Sequence, residues 1–376
     1  MTNSTLNSAP AALLGACLAC LSACSGKALI LDGGPQNTAV TPPDAGAAES
    51  TPLHDEIEAF WVDDARLYWA TGGDSVPIES QKMQSCLHDD CANTTITYGG
   101  TSLYGEAAAI GQTAVFWTKR DSEATVLSCP NAGCTGTPTK VVQDPNLNPT
   151  APFVADGDYF YWTSAFDTYR CPSAGCAEIP EVVVQGETAS GMQIVGAYAY
   201  WAREASPAVD GGTPAVDGGT ETTWEIRRVP KDGSAVPATI KTITLTLGIT
   251  MSWGGFTVDG TRLYWLDDTS HVQSCSLESC EEEAPTALVT TDTVKFGLQV
   301  DATNMYWVEH PVSVILDVAM YCPLSGCSAP QVLISDLNFS GTLELDSSYV
   351  YWEGTQAVAG GITDDHNIHR IRKPTQ

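Results

Sequence analysis

The chain has 376 residues, and 17 lysines and arginines against 45 aspartates and glutamates give it a net charge of −28. That balance repels phosphate backbones and anionic membrane surfaces and argues against nucleic-acid binding. Charged residues are only 16% of the chain while Ser, Thr, Gly and Ala abound, a composition that suits strands and turns and predicts an all-β protein.

Residues 9–23 (APAALLGACLACLSA) form a small, apolar run, too short to span a membrane and of the length of a signal-peptide core. The run ends at Leu21-Ser22-Ala23-Cys24, which looks like a bacterial lipobox. Residues 1–24 are therefore expected to be a lipoprotein signal, with Cys24 the lipidated mature N-terminus. Leu14-Gly15-Ala16-Cys17 fits the same pattern but would cut the apolar core short. The first eight residues, MTNSTLNS, carry no Lys or Arg, which departs from ordinary secretory signals. Residues 25–57, rich in Pro, Ala, Gly and Thr, read as a flexible tether. The expected location is the cell envelope, with the membrane touched through the lipid alone.

From residue 58 to residue 374 an aromatic–Trp pair recurs seven times, with the Trp at 69, 117, 162, 201, 265, 307 and 352. The spacings are 48, 45, 39, 64, 42 and 45, and the long one holds a low-complexity insert, 206–223, in which PAVDGGT stands twice in tandem. A fixed period of this size marks solenoids and propellers. In the strand of each pair, Leu263 and Trp265 share one face while Tyr264 and Leu266 share the other, so both faces are apolar. A blade packed by a neighbour on each side needs that pattern, whereas a sandwich sheet keeps one polar face. The prediction is a β-propeller of seven four-stranded blades, with six or eight as alternatives. The seventh repeat stops at its third strand, and a strand from the N-terminal region is expected to complete it. Ala28 to Leu31 and Thr51 to Ile57 both qualify.

Six positions before the Trp stands an aspartate in five repeats, Asp63, Asp156, Asp259, Asp301 and Asp346, placed to bond the backbone of the turn that follows. Ten of the thirteen cysteines form five pairs of one spacing: Cys86/Cys91, Cys129/Cys134, Cys171/Cys176, Cys275/Cys280 and Cys322/Cys327. In CPNAGC, CPSAGC and CPLSGC the Pro and Gly preset a tight turn that sets the two cysteines face to face across a hairpin as disulfides. The fourth repeat keeps Pro230 and Gly233 in the same frame and lacks both cysteines, as partners in one bond would. Such pairs, far apart along the chain and without a CxxC, do not supply the four ligands of a zinc site. Disulfides also accord with export.

The units VDGTRLYWLDD, VDATNMYWVE and VADGDYFYWTS resemble those of YWTD-type and TolB/NHL-like β-propellers, and of repeat lipoproteins from soil bacteria of myxobacterial type. The resemblance implies the fold and no activity. The Thr-Asp that follows Tyr-Trp in the YWTD family is replaced throughout, and that family has six blades, so none of its functional residues transfers.

In a propeller the second-to-third and fourth-to-first connections emerge on one face, which here also carries the insert. Three consecutive repeats put histidines there, His271, His310, His366 and His369, with Asp267, Asp268, Glu309, Asp364 and Asp365 beside them. Imidazole with carboxylate is a metal or acid/base set, which makes this rim the candidate site. No GxSxG, HExxH, SxxK or phosphate loop occurs. No catalytic residue, metal or cofactor is expected. The sequence points to a noncatalytic, monomeric envelope module that binds a protein or glycan; the rival is a propeller hydrolase or lyase using the rim.

Overall fold

The computed structural model describes residues 49–51, 57–71, 81–100, 108–119, 125–143, 153–157, 159–164, 166–176, 180–205, 222–245, 255–267, 271–291, 293–311, 316–327, 329–356 and 367–374. The signal region with Cys24, the segment Ala28 to Leu31, the tether up to residue 48 and the insert from 206 to 221 lie outside them.

The strand that holds each aromatic–Trp pair is the second of four antiparallel strands. Five sheets have four strands each, over 57–100, 108–143, 153–184, 190–245 and 256–289. A seven-stranded sheet combines the remaining two blades, because Gln331–Leu345 passes without a loop from the fourth strand of blade 6 into the first strand of blade 7. Each innermost strand lies beside that of the next blade, and blade 7 returns to blade 1. The protein is a seven-bladed β-propeller. Its one described helix is a single turn, Cys91–Thr94, and no described helix is long and apolar enough to cross a membrane.

Glu49–Thr51 closes the ring as the fourth strand of blade 7, antiparallel to Asn367–Arg372, with Glu49 opposite Arg370 and Thr51 opposite Ile368. Of the predicted closing segment Thr51 to Ile57, Thr51 takes part and Ile57 opens the first strand of blade 1, while residues 52–56 lie outside the described residues. An outermost strand is held by backbone hydrogen bonds that ignore hydropathy.

Seven apolar clusters fill the seven gaps between blades. In every gap the Tyr or Phe of one pair meets the Trp of the next. Tyr68 faces Trp117, Phe116 faces Trp162, Tyr161 faces Trp201, and Tyr200 faces Trp265. Tyr264 faces Trp307, Tyr306 faces Trp352, and Tyr351 meets Trp69 across the closing seam. Because side chains alternate along a strand, two adjacent residues bond a blade to both neighbours.

All five predicted disulfides form: Cys86–Cys91, Cys129–Cys134, Cys171–Cys176, Cys275–Cys280 and Cys322–Cys327. Their placement corrects one expectation, that the two cysteines would face each other across a hairpin. The first of each pair lies in a third strand, but the second does not lie in the fourth. Cys91 opens the single helical turn, and Cys134, Cys176, Cys280 and Cys327 sit in the connection, several residues before the next strand begins at Thr139, Glu181, Thr286 or Gln331. A separation of five residues is used up by the turn itself, so each bridge ties a connection back onto the strand it leaves. In the three staples that carry proline the turn runs from Pro to Gly, with Gly133 N–H donating to Pro130 O and Gly175 N–H to Pro172 O, both at 2.8 Å, and Gly326 N–H to Pro323 O at 3.3 Å. Proline is thus the first residue of each turn, and the glycine closes it at a positive φ, 99° at Gly133 and 109° at Gly175.

Candidate functional site

The two ends of the ring are built differently. On the staple face every first-to-second connection is a tight turn, such as Val62 to Arg66 or Val195 to Tyr198. On the opposite face the connections range from nothing between blades 6 and 7, through Ser164 to Asp167 in blade 3, to Glu204 to Thr222 in blade 4.

Of the described rim residues, Asp267, His271, Glu309 and His310 lie on the insert-bearing face and His369 does not. His271 N–H donates to Asp267 Oδ1 at 2.9 Å, and Gln273 Nε2 occupies the other carboxylate oxygen at 2.6 Å. The His271 ring is 3.9 Å from Asp267. His310 Nδ1 stands 2.6 Å from Asp317 Oδ1, with the imidazole 51% exposed and the carboxylate 12%. Glu309 is buried, accepting from Trp307 Nε1 at 2.9 Å and lying 3.9 Å from Lys295 Nζ. Lys295, fully buried, donates to the carbonyls of Thr291 and Thr293 at 2.6 and 3.0 Å and thereby caps the loop entering blade 6. His369 is the exception. It is buried inside the third strand of blade 7, where its ring stacks on Trp352 and Nε2 donates to Gly354 O at 2.8 Å.

None of these contacts joins the histidine of one blade to that of another. Among the described residues no three His, Cys, Asp or Glu side chains are grouped to hold a metal. Asp268, Asp364, Asp365 and His366 lie outside them. The arrangement with most chemical capacity is His310–Asp317, since a carboxylate on Nδ1 fixes the tautomer and leaves Nε2 as the basic nitrogen.

Two further features mark the same face at blades 3 and 4. Phe166, at the tip of the tight blade 3 turn, is 67% exposed. Beside that turn, Asp167 Oδ1 accepts Gly186 N–H at 2.8 Å, and the adjacent Glu187 pairs with Arg203 and Arg227 at 3.2 and 3.0 Å. Both arginines also hold Glu225, at 2.8 and 3.0 Å. Burial opposes ionisation of Glu225, but the bonds from Arg227 and Arg203 outweigh it and hold its pKa low.

The staple face is a lattice of bonds. Asp259 Oδ1 accepts the N–H groups of Thr261 and Arg262 at 2.8 Å, while Oδ2 accepts the Tyr264 hydroxyl at 2.7 Å. Asp63, Asp301 and Asp346 repeat this on their own turns and on Tyr68, Tyr306 and Tyr351. The aspartate thus ties its turn to the interblade tyrosine. Burial, reinforced by the neighbouring carboxylate, pushes all four tyrosines well above the usual range and keeps them donors. Burial works against Asp301 too, but Lys373 and the turn N–H groups prevail and hold it at about 2.

Asp156, whose turn includes residue 158 outside the described residues, pairs with Lys231 of blade 4. The same partnership recurs at Asp301 with Lys373, 2.8 Å away, and at Asp346 with His88, 3.3 Å away. His88, Lys231 and Lys373 occupy one register position, two residues beyond the strand residue opposite Leu67, Ala199 or Val350. Where blades 2 and 4 carry Gly111 and Val195 in place of the aspartate, the following blades carry Ser173 and Leu277 in place of the cation. Arginines add a second lock. Arg170, Arg228 and Arg370 each lie over a tyrosine of their own blade, Tyr159, Tyr198 and Tyr349, and each reaches the third-to-fourth hairpin of the next blade. Both columns appear when the repeats are aligned on the third-strand position that a cysteine fills in five blades and that Val229 and Ile371 fill in blades 4 and 7.

No family model matches the chain, and none of the curated proteins matches it. Among solved structures it is similar to the β-propeller domain of the trilobed protease from Pyrococcus furiosus, with TM-score 0.55 at 8% identity, over 86% of this chain and 95% of that one. It is also similar to the acylaminoacyl peptidase of Pyrococcus horikoshii, with TM-score 0.53 at 9% identity. That alignment covers 83% of this chain but spans about half, 51%, of the peptidase. At such identity the likeness extends to the fold and not to the chemistry.

Proposed function

We propose that this protein is a noncatalytic binding module, exported and lipid-anchored through Cys24, that captures a protein or glycan on its insert-bearing face. The asymmetry of the two faces carries this reading. The staple face spends its polar side chains on contacts between blades, such as Asp301 with Lys373 and Arg228 with the carbonyl of Leu277. The other face varies its connections blade by blade and exposes Phe166 beside a charged quartet, on a scaffold that does not depend on those loops. Function in scaffolds of this kind resides in loops carried by a rigid frame. A Cys24→Ser protein, soluble and carrying the propeller, presented to a glycan array and to envelope extracts, is expected to capture a ligand. Deleting residues 206–221 is expected to abolish capture; capture that survives this deletion and Phe166→Ala would move the site elsewhere. Lipid on Cys24 is tested by mass spectrometry of the membrane-extracted protein.

The second reading, a hydrolase or lyase, rests on the His310–Asp317 pair. His310→Ala that leaves every hydrolytic activity of the purified protein unchanged would end it.

A further inference from the structure

The staples lie between blades as well as within them. Both cysteines of each belong to the apolar cluster that faces the preceding blade, in the gaps 1/2, 2/3, 4/5, 5/6 and 7/1. In the two gaps without a staple, Val229 and Ile371 fill the place of the first cysteine, and there a lysine, Lys231 or Lys373, reaches the aspartate of the preceding blade. A seam is thus fastened on this face by a disulfide-bound connection or by a lysine, and the closing seam combines a staple with a basic side chain. His88 and Asp89 stand inside the Cys86–Cys91 loop. From there His88 Nδ1 lies 3.1 Å from the Tyr351 hydroxyl and 3.3 Å from Asp346 Oδ2, and Asp89 Oδ1 accepts Arg370 Nη2 at 3.3 Å. Apart from the bridge, the connection is held by local bonds such as Leu87 N–H to Thr94 Oγ1 at 2.9 Å, and its helical turn Cys91–Thr94 buries no residue. A single helical turn does not persist in water unaided. The chain crosses this seam from Glu49–Thr51, three residues long, where the fourth strands Ile96–Gly100 and Thr139–Gln143 have five.

We propose that the Cys86–Cys91 bridge is a redox clasp on the ring: oxidised, it holds His88 and Asp89 against blade 7, and reduced by a dithiol it lets the connection leave the seam, so that the closing strand and strand 367–372 open first. Cys86 is fully buried and Cys91 is partly exposed, so a thiolate of the dithiol attacks Cys91 Sγ and the electrons of the S–S bond leave on Cys86 Sγ. The second thiolate of the dithiol then displaces Cys91 Sγ from the mixed disulfide. Two electrons and two protons pass to the protein, and the dithiol ends as a disulfide. Cutting a staple at another seam leaves the closing seam untouched, because its loop faces a different neighbour. The contact between Asp64 Oδ1 and Ser347 N–H, 2.8 Å long, lies outside the Cys86–Cys91 loop and does not depend on the bond.

The test is amide hydrogen exchange on the oxidised protein, comparing wild type, Cys86→Ser with Cys91→Ser, and Cys322→Ser with Cys327→Ser. Protection of strand 367–372 is expected to fall by about tenfold or more in the first pair of changes and to stay as in wild type in the second. His88→Ala with Asp89→Ala, bridge intact, is expected to lose protection in the same strand. Equal protection of 367–372 in wild type and the Cys86/Cys91 variant would overturn the clasp, as would an equal loss there in the Cys322/Cys327 variant or no loss on removing His88 and Asp89. Should the Cys86/Cys91 variant not fold, wild type is reduced with dithiothreitol and the freed thiols are alkylated. Cys86 and Cys91 alkylated with 367–372 still fully protected would then overturn it independently.

Discussion

Replacing Trp162 with alanine removes one ring from a column of four. Phe116 stacks on Phe160 at 4.9 Å, Phe160 on Trp162 at 5.0 Å, and Trp162 on Tyr169 at 5.6 Å. Trp162 is fully buried between blades 2 and 3, and its Nε1 has no hydrogen-bond partner, so the substitution costs packing and no polar contact. Burying an aromatic side chain removes about 150–250 Å² from water, which at about 25 cal/mol/Å² is about 4–6 kcal/mol of transfer free energy. Relaxation around the cavity and residual burial in the unfolded chain reduce this, and about 4 kcal/mol is expected. Trp162→Phe keeps a ring in the column and is expected to cost about 1–2 kcal/mol. Guanidinium unfolding with the disulfides intact, followed by both tryptophan fluorescence and far-ultraviolet circular dichroism, measures both. A loss below about 1 kcal/mol for the alanine, or phenylalanine as damaging as alanine, would refute the claim that the tryptophans act as interblade packing.

Asp301, held at about 2, is ionised in folded and unfolded chains alike above pH 4, so its contribution is full there and disappears as the pH falls towards 2. Stability of the wild type between pH 4 and 2 should therefore fall more steeply than that of Asp301→Asn, and parallel curves would disprove the role given to this carboxylate. Each staple closes a loop of sequence separation 5, so the double change Cys171→Ser with Cys176→Ser should cost about 2 kcal/mol in chemical denaturation. Either single change should cost as much as the double, because the two are partners in one bond. Lys231→Met removes a half-exposed ion pair with Asp156 and should shift stability by less than about 1 kcal/mol, as read from the same unfolding curves. Deleting residues 206–221 shortens a loop without touching the blades, and unfolding should change by less than about 1 kcal/mol.

The site was less legible than the fold. His271 and His310 stand out by residue type and Asp267 lies beside His271 in the sequence, but Asp317 comes seven residues after His310, and spacing alone does not choose it. His369 looked like a companion of His366 and is instead part of a strand, packed on Trp352, because strand 367–372 begins one residue after His366. The closing strand Glu49–Thr51 meets the expected segment Thr51 to Ile57 at Thr51, and a segment paired through its backbone need show no pattern in its side chains.

The repeat itself was sufficient for the architecture. Seven aromatic–Trp pairs with apolar residues on both sides of one strand require a neighbour against each face, and seven such units satisfy that only by closing on themselves. The cysteine spacing was equally sufficient for the pairing, because a bond across a tight turn is a local event; where the fourth strand would start, and hence that Cys134, Cys280 and Cys327 fall short of it, was not written in that spacing. What the tertiary structure alone decided were the contacts between repeats: which tyrosine meets which tryptophan, and that His88, Lys231 and Lys373 each reach the aspartate of the preceding blade. Those pairings join residues dozens to hundreds of positions apart, and the closure of the ring, rather than any local preference of the chain, brings them together.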